Sequence, residues 1–178
     1  MKDLSNNLII REKGTDWSKF FKGQIDKYSW VDIGSSYLPS EILAAFLFGQ
    51  LEKQKQIQEK RRRIWNFYNQ ELNEWSISNN IRLPFIPSEC EQTFHMYYLI
   101  MPNKDARDNF IEHLKTNGMM AVFHYLPLQL SKKGKELGGE RFECPVSIDI
   151  SNRLVRLPFY NNLYTSDIDL KIFYDYKL

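Results

Sequence analysis

The stretch from Ser40 to Trp75 limits what this chain can fold into. It holds no proline and a single glycine, Gly49, and its two ends are apolar while its middle is charged. Ser40 follows Pro39 and precedes Glu41, so a hydroxyl is available to cap free N–H groups and an acid to face the positive end of a helix dipole. Ile42, Leu43, Phe46, Leu47 and Leu51 recur at helical spacing, and Ile64, Trp65, Tyr68, Leu72 and Trp75 do so again further on. Between the two stripes runs EKQKQIQEKRRR, where Ile57 alone is apolar. The pattern predicts one helix roughly 50 Å long, whose two apolar ends cannot share one small core.

Two bodies follow from that length. Residues 76–178 suffice for a small domain, whereas residues 1–39 are too few to support a core unaided. The N-terminal body is therefore expected to be completed by more of a larger protein or by another polypeptide. Its aromatic segment, with Trp17, Phe20, Phe21, Tyr28 and Trp30 among frequent charges, has no clean period and reads as a surface laid against something else.

A net charge of +2 over 178 residues argues against nucleic acid as the main partner. The basic run Lys60 to Arg63 is read either as the solvated face of the helix or as a narrow nucleic-acid footprint. Cys90 and Cys144 lie far apart with no ligand at metal spacing, which points to reduced thiols in a cytoplasmic protein rather than to a disulfide or zinc site. The opening MKDLSNNLII lacks a long apolar core, so neither a signal peptide nor a membrane span is expected.

Taken in order, Asp3 to Lys13 is expected to be a helix stopped by Gly14. Gly34-Ser35-Ser36-Tyr37-Leu38-Pro39-Ser40-Glu41 leads into the long helix and is open to two readings, a plain capping turn or an anion site made of free N–H groups and a dipole. His95 to Met101 predicts a strand covered on both faces, Asn103 caps a helix running to Thr116 with Asn117-Gly118 as its stop, and Met119 to His124 predicts a second strand. Lys132 to Gly139 is a loop or short helix, Ser147 to Arg153 a helix and Leu154 to Leu157 a strand stopped by Pro158. Thr165 is expected to cap a last helix bearing Ile168, Ile172 and Phe173, which completes an α+β sandwich.

Three histidines are candidates for chemistry. His113 lies on a charged helix and is expected to face solvent, and His95 opens a strand as a hydrogen-bonded structural residue. His124 ends a strand and enters the Pro127 turn, where site residues and structural residues are both found. No Ser/His/Asp arrangement, metal-ligand cluster or P-loop is legible.

The blocks IIREKGTDWSKFFKGQIDKYSWVDIGSSYLPSEILAAFLFGQLE, FHMYYLIM, MMAVFHYLPLQ and RLVRLPFYNNL resemble, in this order, the C-terminal half of the DegT/DnrJ/EryC1/StrS sugar aminotransferases. Within that family the likeness is greatest to the dTDP-4-amino-4,6-dideoxygalactose transaminase branch of surface polysaccharide and lipopolysaccharide biosynthesis. The resemblance implies the C-terminal domain of a type I aspartate aminotransferase fold: a remnant of the large domain at 1–39, a bridging helix at 40–75 and a small α+β domain at 76–178. It implies pyridoxal phosphate in the complete enzyme, a homodimer with active sites at the interface, and transfer of an amino group from glutamate to a nucleotide-linked keto sugar.

None of the lysines here matches the family's cofactor-linking motif. The resemblance therefore implies a chain that binds no cofactor and is not competent alone, and that pairs with itself or with a subunit bearing the large domain. The family's Gly-x-Asn-x-Arg turn, which faces the cofactor phosphate, is represented by Gly34, Ser35, Ser36, Tyr37 and Leu38, with Ser36 for Asn and Leu38 for Arg. Its His-Tyr-x-Pro-x-His motif near the sugar nucleotide is represented by His124, Tyr125 and Pro127, with Gln129 in place of the second His. The alternative from another class is a noncatalytic module that binds an aminotransferase subunit or itself through the Trp17 to Trp30 segment. No nucleic acid, no membrane and no metal enter either reading.

Overall fold

A computed structural model describes residues 4–177 and divides the chain into two compact units that meet at Lys53 and Gln54. The first unit contains α1 (Leu4–Arg11), α2 (Trp17–Phe21) and α3 (Glu41–Glu52). The expected helix start at Asp3 lies outside the described residues. α1 gives way at Gly14, where φ is 76° and the amide donates back to the Ile9 carbonyl at 2.8 Å. Two antiparallel bridges then fold the loop onto the end of α1, one between Thr15 and Trp30 and one between Glu12 and Ser36. α2 is a short helix hidden in the segment with no period, and the Glu12 carboxylate holds its first turn by accepting from the Ser18 amide at 3.2 Å and the Ser18 hydroxyl at 2.7 Å.

α3 starts as the sequence requires, with the Ser40 hydroxyl accepting from the Leu43 amide at 3.3 Å. Its apolar side chains are nonetheless all exposed, from 55% for Leu47 to 81% for Ile42. Phe46, Leu47 and Phe48 follow one another at about 100° each, so the apolar surface spans more than half of the helix circumference. A helix apolar on so many sides belongs inside a core. Among the described residues of this unit no hydrophobic side chain is buried.

The single helix expected from Ser40 to Trp75 is three helices. α3 ends at Glu52, α4 covers Gln54–Glu71 and α5 covers Asn73–Ser78. At Lys53 the backbone leaves helical geometry, with φ −95° and ψ 5°, and its amide bonds to Gln50. Residues 50–56 are all exposed, so no packing holds this polar stretch to the helical path.

The second unit is an α+β fold built on α4, α5, β1 (Tyr98–Ile100), α6 (Lys104–Thr116), β2 (Val122–Phe123), α7 (Lys132–Glu136), α8 (Pro145–Arg153), β3 (Leu154–Arg156) and α9 (Lys171–Tyr174). The sheet order is β1-β3-β2, and β3 runs antiparallel to both neighbours. β1 and β2 are thus parallel to each other, joined by α6 and separated by a strand that comes later in the chain. The stripe Ile64, Trp65, Tyr68, Leu72 and Trp75 is buried as its spacing requires, together with Leu99, Phe110, Leu114, Val155 and Phe173. Tyr68 and Tyr97 stack at 5.1 Å, and their hydroxyls donate to the Pro158 carbonyl and to Asn69 Oδ1.

Several expected elements are corrected here. β1 is shorter than His95 to Met101, and only its Tyr97, Leu99 and Met101 side is fully buried, with Tyr98 and Ile100 half covered on the other. β2 keeps two of six residues because Met119 and Ala121 turn inward before it while the chain leaves the sheet at His124. Thr165 does not cap a continuous last helix: Thr165–Asp167 is a 3₁₀ turn, and Asp169 Oδ1 takes the Lys171 amide to start α9 afresh. α6 follows expectation, with Asn103 Oδ1 accepting from Ala106 at 2.8 Å and Gly118 in the left-handed region after its end.

Candidate functional site

The residues singled out in the sequence fall into two groups, one in each unit. In the first, Gly34 through Tyr37 lies against the end of α1. The Ser35 amide donates to the Ile10 carbonyl at 2.9 Å and the Tyr37 amide to the Arg11 carbonyl at 3.2 Å. Two N–H groups of the turn are thereby already committed. Gly34 packs so closely on Gly14 that a Cβ on it would stand 2.1 Å from the Gly14 nitrogen. Its lack of a side chain serves the contact between these two backbone segments.

Ser36 is placed differently. With Ser40, Arg11, Lys13, Trp17 and Tyr28 it lines a cleft of about 550 Å³ beside the start of α3. Its hydroxyl has no hydrogen-bond partner among the described residues, and the helix start and two cations favour an anion there. Tyr37 points outward at 67% exposure and Ser35 is exposed as well. Glu12, at the back of the cleft, is buried and belongs to its framework. Burial pushes its carboxyl up, but the Ser18 hydroxyl, the Arg11 guanidinium and the Ser18 amide together hold it below the usual carboxylate range.

For a phosphorylated pyridine cofactor this donor set fits one end. The Ser36 hydroxyl, Arg11 and Lys13 suit a phosphate, and Gly34 and the Ser35 and Tyr37 amides shape the turn that presents Ser36. Nothing in the cleft offers an acid for a pyridine nitrogen, since Glu12 is occupied by Ser18 and Arg11.

In the second unit His124 and Tyr125 follow β2, and Gln129 lies in a 3₁₀ turn, Leu128–Leu130. His124 is half buried with an Nδ1 that has no partner, and the Gln129 amide nitrogen is buried without a partner as well. The Tyr125 ring stands 76% exposed, 5.2 Å from the His124 ring. Burial, then the charge of Arg156, then His95, hold the His124 imidazole below its ordinary pKa, so it is a neutral donor or acceptor at neutral pH.

Arg156 is the residue that the sequence reading passed over. It sits on β3 opposite Val122, with its guanidinium 5.8 Å from the Tyr125 ring centre. His95, expected in the strand, lies before it, exposed and bonded to Thr93 at 3.2 Å. His113, expected in solvent, is half buried and meets the Ile172 carbonyl at 2.7 Å. Among the described residues no cluster of three or more His, Cys, Asp or Glu could hold a metal, and no helix is long and apolar enough to cross a membrane.

Comparison with known proteins bears on both groups. The model of the DegT/DnrJ/EryC1/StrS aminotransferase family matches residues 6–171. An uncharacterized protein of Methanocaldococcus jannaschii is 25% identical over 157 residues, which is 85% of this chain and 40% of that protein. The aminotransferase TlmJ from Streptoalloteichus hindustanus superimposes with a TM-score of 0.73 at 21% identity, covering 89% of this chain and 40% of that one. Helicobacter pylori PseC, an aminotransferase involved in the biosynthesis of pseudoaminic acid, gives 0.76 at 20% identity, covering 95% and 45%. The chain spans less than half the length of each of these relatives, and its fold is that of the corresponding part of the two aminotransferase structures. On the match across residues 6–171, this chain belongs to the DegT/DnrJ/EryC1/StrS aminotransferase family.

Proposed function

We propose that these residues are the C-terminal portion of a pyridoxal-phosphate-dependent nucleotide-sugar aminotransferase, acting in the cytoplasm in surface polysaccharide or lipopolysaccharide biosynthesis. The substrate class is a dTDP-4-keto-6-deoxyhexose and the branch that of dTDP-4-amino-4,6-dideoxygalactose transaminase. The observation that carries this reading is the family match over residues 6–171, which takes in both candidate groups. When bound, the cofactor supplies the electron sink for moving an amino group. The work of this chain is narrower: Ser36, with Arg11 and Lys13 beside it, holds a phosphate, while His124, Tyr125 and Gln129 form one wall of the sugar-nucleotide site.

The exposed apolar surface of α3 is the reason to expect an assembly. Burial of a Leu or Phe side chain stabilises by about 1.5–3 kcal/mol, and α3 presents several of them to water. A large domain bearing the cofactor lysine, in the same polypeptide or another, covers that surface, and two such assemblies make the working dimer. The test is to supply glutamate, pyridoxal phosphate and a dTDP-4-keto-6-deoxyhexose to these 178 residues, alone and together with a lysine-bearing large domain. Amino sugar is expected only from the combination. Turnover by the chain alone would overturn the reading.

A second reading rests on other exposed residues of the first unit. Phe21 at 72%, Trp30 at 76% and Ile33 at 83% exposure also suit a noncatalytic module that binds an aminotransferase subunit or another copy of itself. Stable association without any gain of turnover would favour it.

A further inference from the structure

In the second unit the turn between α6 and β2 and the stretch from Pro158 to α9 share a cleft of about 540 Å³. Its floor is apolar. Met119, Leu163 and Ile168 line it and are buried, and Tyr68, whose hydroxyl is spent on the Pro158 carbonyl at 3.0 Å, lines it without a free donor. Every formal charge on the cleft is negative: Asp167 and Asp169 line it, and no lysine, arginine or histidine does. Asp167 Oδ1 accepts from the Ser166 hydroxyl at 3.4 Å and Asp169 Oδ1 from the Lys171 amide at 3.0 Å, and neither carboxylate has a cationic partner among the described residues. Asn117 and Gly118, which continue from the last residue of α6, bring the negative end of a 13-residue helix to the same place.

An apolar floor under negative charge makes two demands at once. An inorganic cation would leave the floor against water, and an uncharged hydrocarbon would leave the carboxylates unanswered. We infer that this cleft binds an organic ammonium ion, a small primary amine whose apolar stem lies on Met119, Leu163 and Ile168 while its charged head meets Asp167 and Asp169. Tyr160, 56% exposed beside them, offers a ring to the same head. The volume falls within the range of about 300–1,000 Å³ usual for small-molecule sites. The cleft takes in Met119 and Met120, before β2, whereas His124 follows the end of that strand, so the inference is independent of the aminotransferase reading.

The test titrates the full chain with three probes of nearly one shape, hexylammonium, hexan-1-ol and hexanoate, by calorimetry and by the methyl NMR signals of Met119 and Met120. Saturable binding is expected to rank hexylammonium above hexanol and hexanoate last, with both methionine signals moving and added salt weakening the ammonium alone. Asp167→Asn and Asp169→Asn are each expected to weaken hexylammonium by about two- to fivefold, the range for an exposed ion pair, and to spare hexanol. An amide at position 169 keeps an oxygen for the Lys171 amide, so α9 retains its start. Tyr160→Leu is expected to lower the preference for ammonium over alcohol while keeping an apolar side chain, and thermal melting checks that each variant is folded. A lysine side chain presented as N-acetyl-lysine methylamide is expected to bind more weakly than hexylammonium, because its stem is shorter and its amides bring polar groups to an apolar floor. Tighter binding of that probe would assign the cleft to a protein's lysine and overturn the small-amine occupant. Hexanol or hexanoate binding as tightly as hexylammonium, no saturable binding at all, or undiminished affinity in a folded chain carrying both Asp→Asn changes would each end the assignment.

Discussion

Replacing Gly34 by alanine separates a packing role for the turn from a ligand role. A Cβ there would lie 2.1 Å from the Gly14 nitrogen, 2.7 Å from its Cα and 2.8 Å from the Ile10 carbonyl oxygen, all backbone atoms that cannot swing aside. Relief requires the turn to move off α1, which breaks the bonds from Lys13 to Ser35, from Ser35 to Ile10 and from Tyr37 to Arg11. Three backbone hydrogen bonds at about 0.5–1.5 kcal/mol each make the loss about 1.5–4.5 kcal/mol. The corresponding acceleration of amide exchange at Ser35 and Tyr37 is about 10- to 2,000-fold, measured by hydrogen exchange on the full chain. Gly49→Ala is the control: beyond the backbone of its own helix no described atom lies within 4 Å of the added methyl, and a helix interior gains about 1 kcal/mol from the change. Equal exchange at Ser35 and Tyr37 in the Gly34→Ala chain, or no protection there in the unmodified chain, would refute the packing of this turn.

Phe110 is fully buried against Trp75, Phe173 and Tyr176, so Phe110→Ala is expected to destabilise the second unit by about 3–5 kcal/mol in urea unfolding. Asn103→Ala removes the cap of α6 and is expected to cost about 1 kcal/mol by the same assay. His124 has a folded pKa below its unfolded one, so the unfolded chain binds more protons in the window between them. Its contribution to stability is complete above about pH 6.5 and is lost as the pH falls through the folded value. Urea midpoints across that range should show the loss, and His124→Gln should flatten it; an unchanged slope in the variant would assign the effect elsewhere.

What could be read from residue order was what is settled locally. Asn103, Phe110, Leu114 and Gly118 define α6 within a few turns, and the stripe from Ile64 to Trp75 names its own buried face. The contact between Gly14 and Gly34 could not be foreseen, because it joins segments whose spacing carries no period. α2 is five residues long, shorter than any pattern can reveal, and the break at Lys53 arises from a lack of packing that composition does not display. The candidate groups divide in the same way. His124 and Tyr125 were legible from their turn, but Arg156 was seen only as part of a short strand, and its importance depends on pairing with Tyr98 and Val122. Strand register fixes which face a residue takes, and a three-residue strand gives almost no sign of it.

The middle place of β3 sets an order of arrival. As the polypeptide leaves the ribosome, β1, α6 and β2 are all out before the strand that must lie between the first and third of them exists. Tyr98 waits for Arg156 and Phe123 for Val155, with their backbone groups facing water or any stranger that offers an edge. The same residue that completes the weave also brings the guanidinium to Tyr125, so the sheet closes and its outer face becomes chemically distinct in one event, once β3 has emerged.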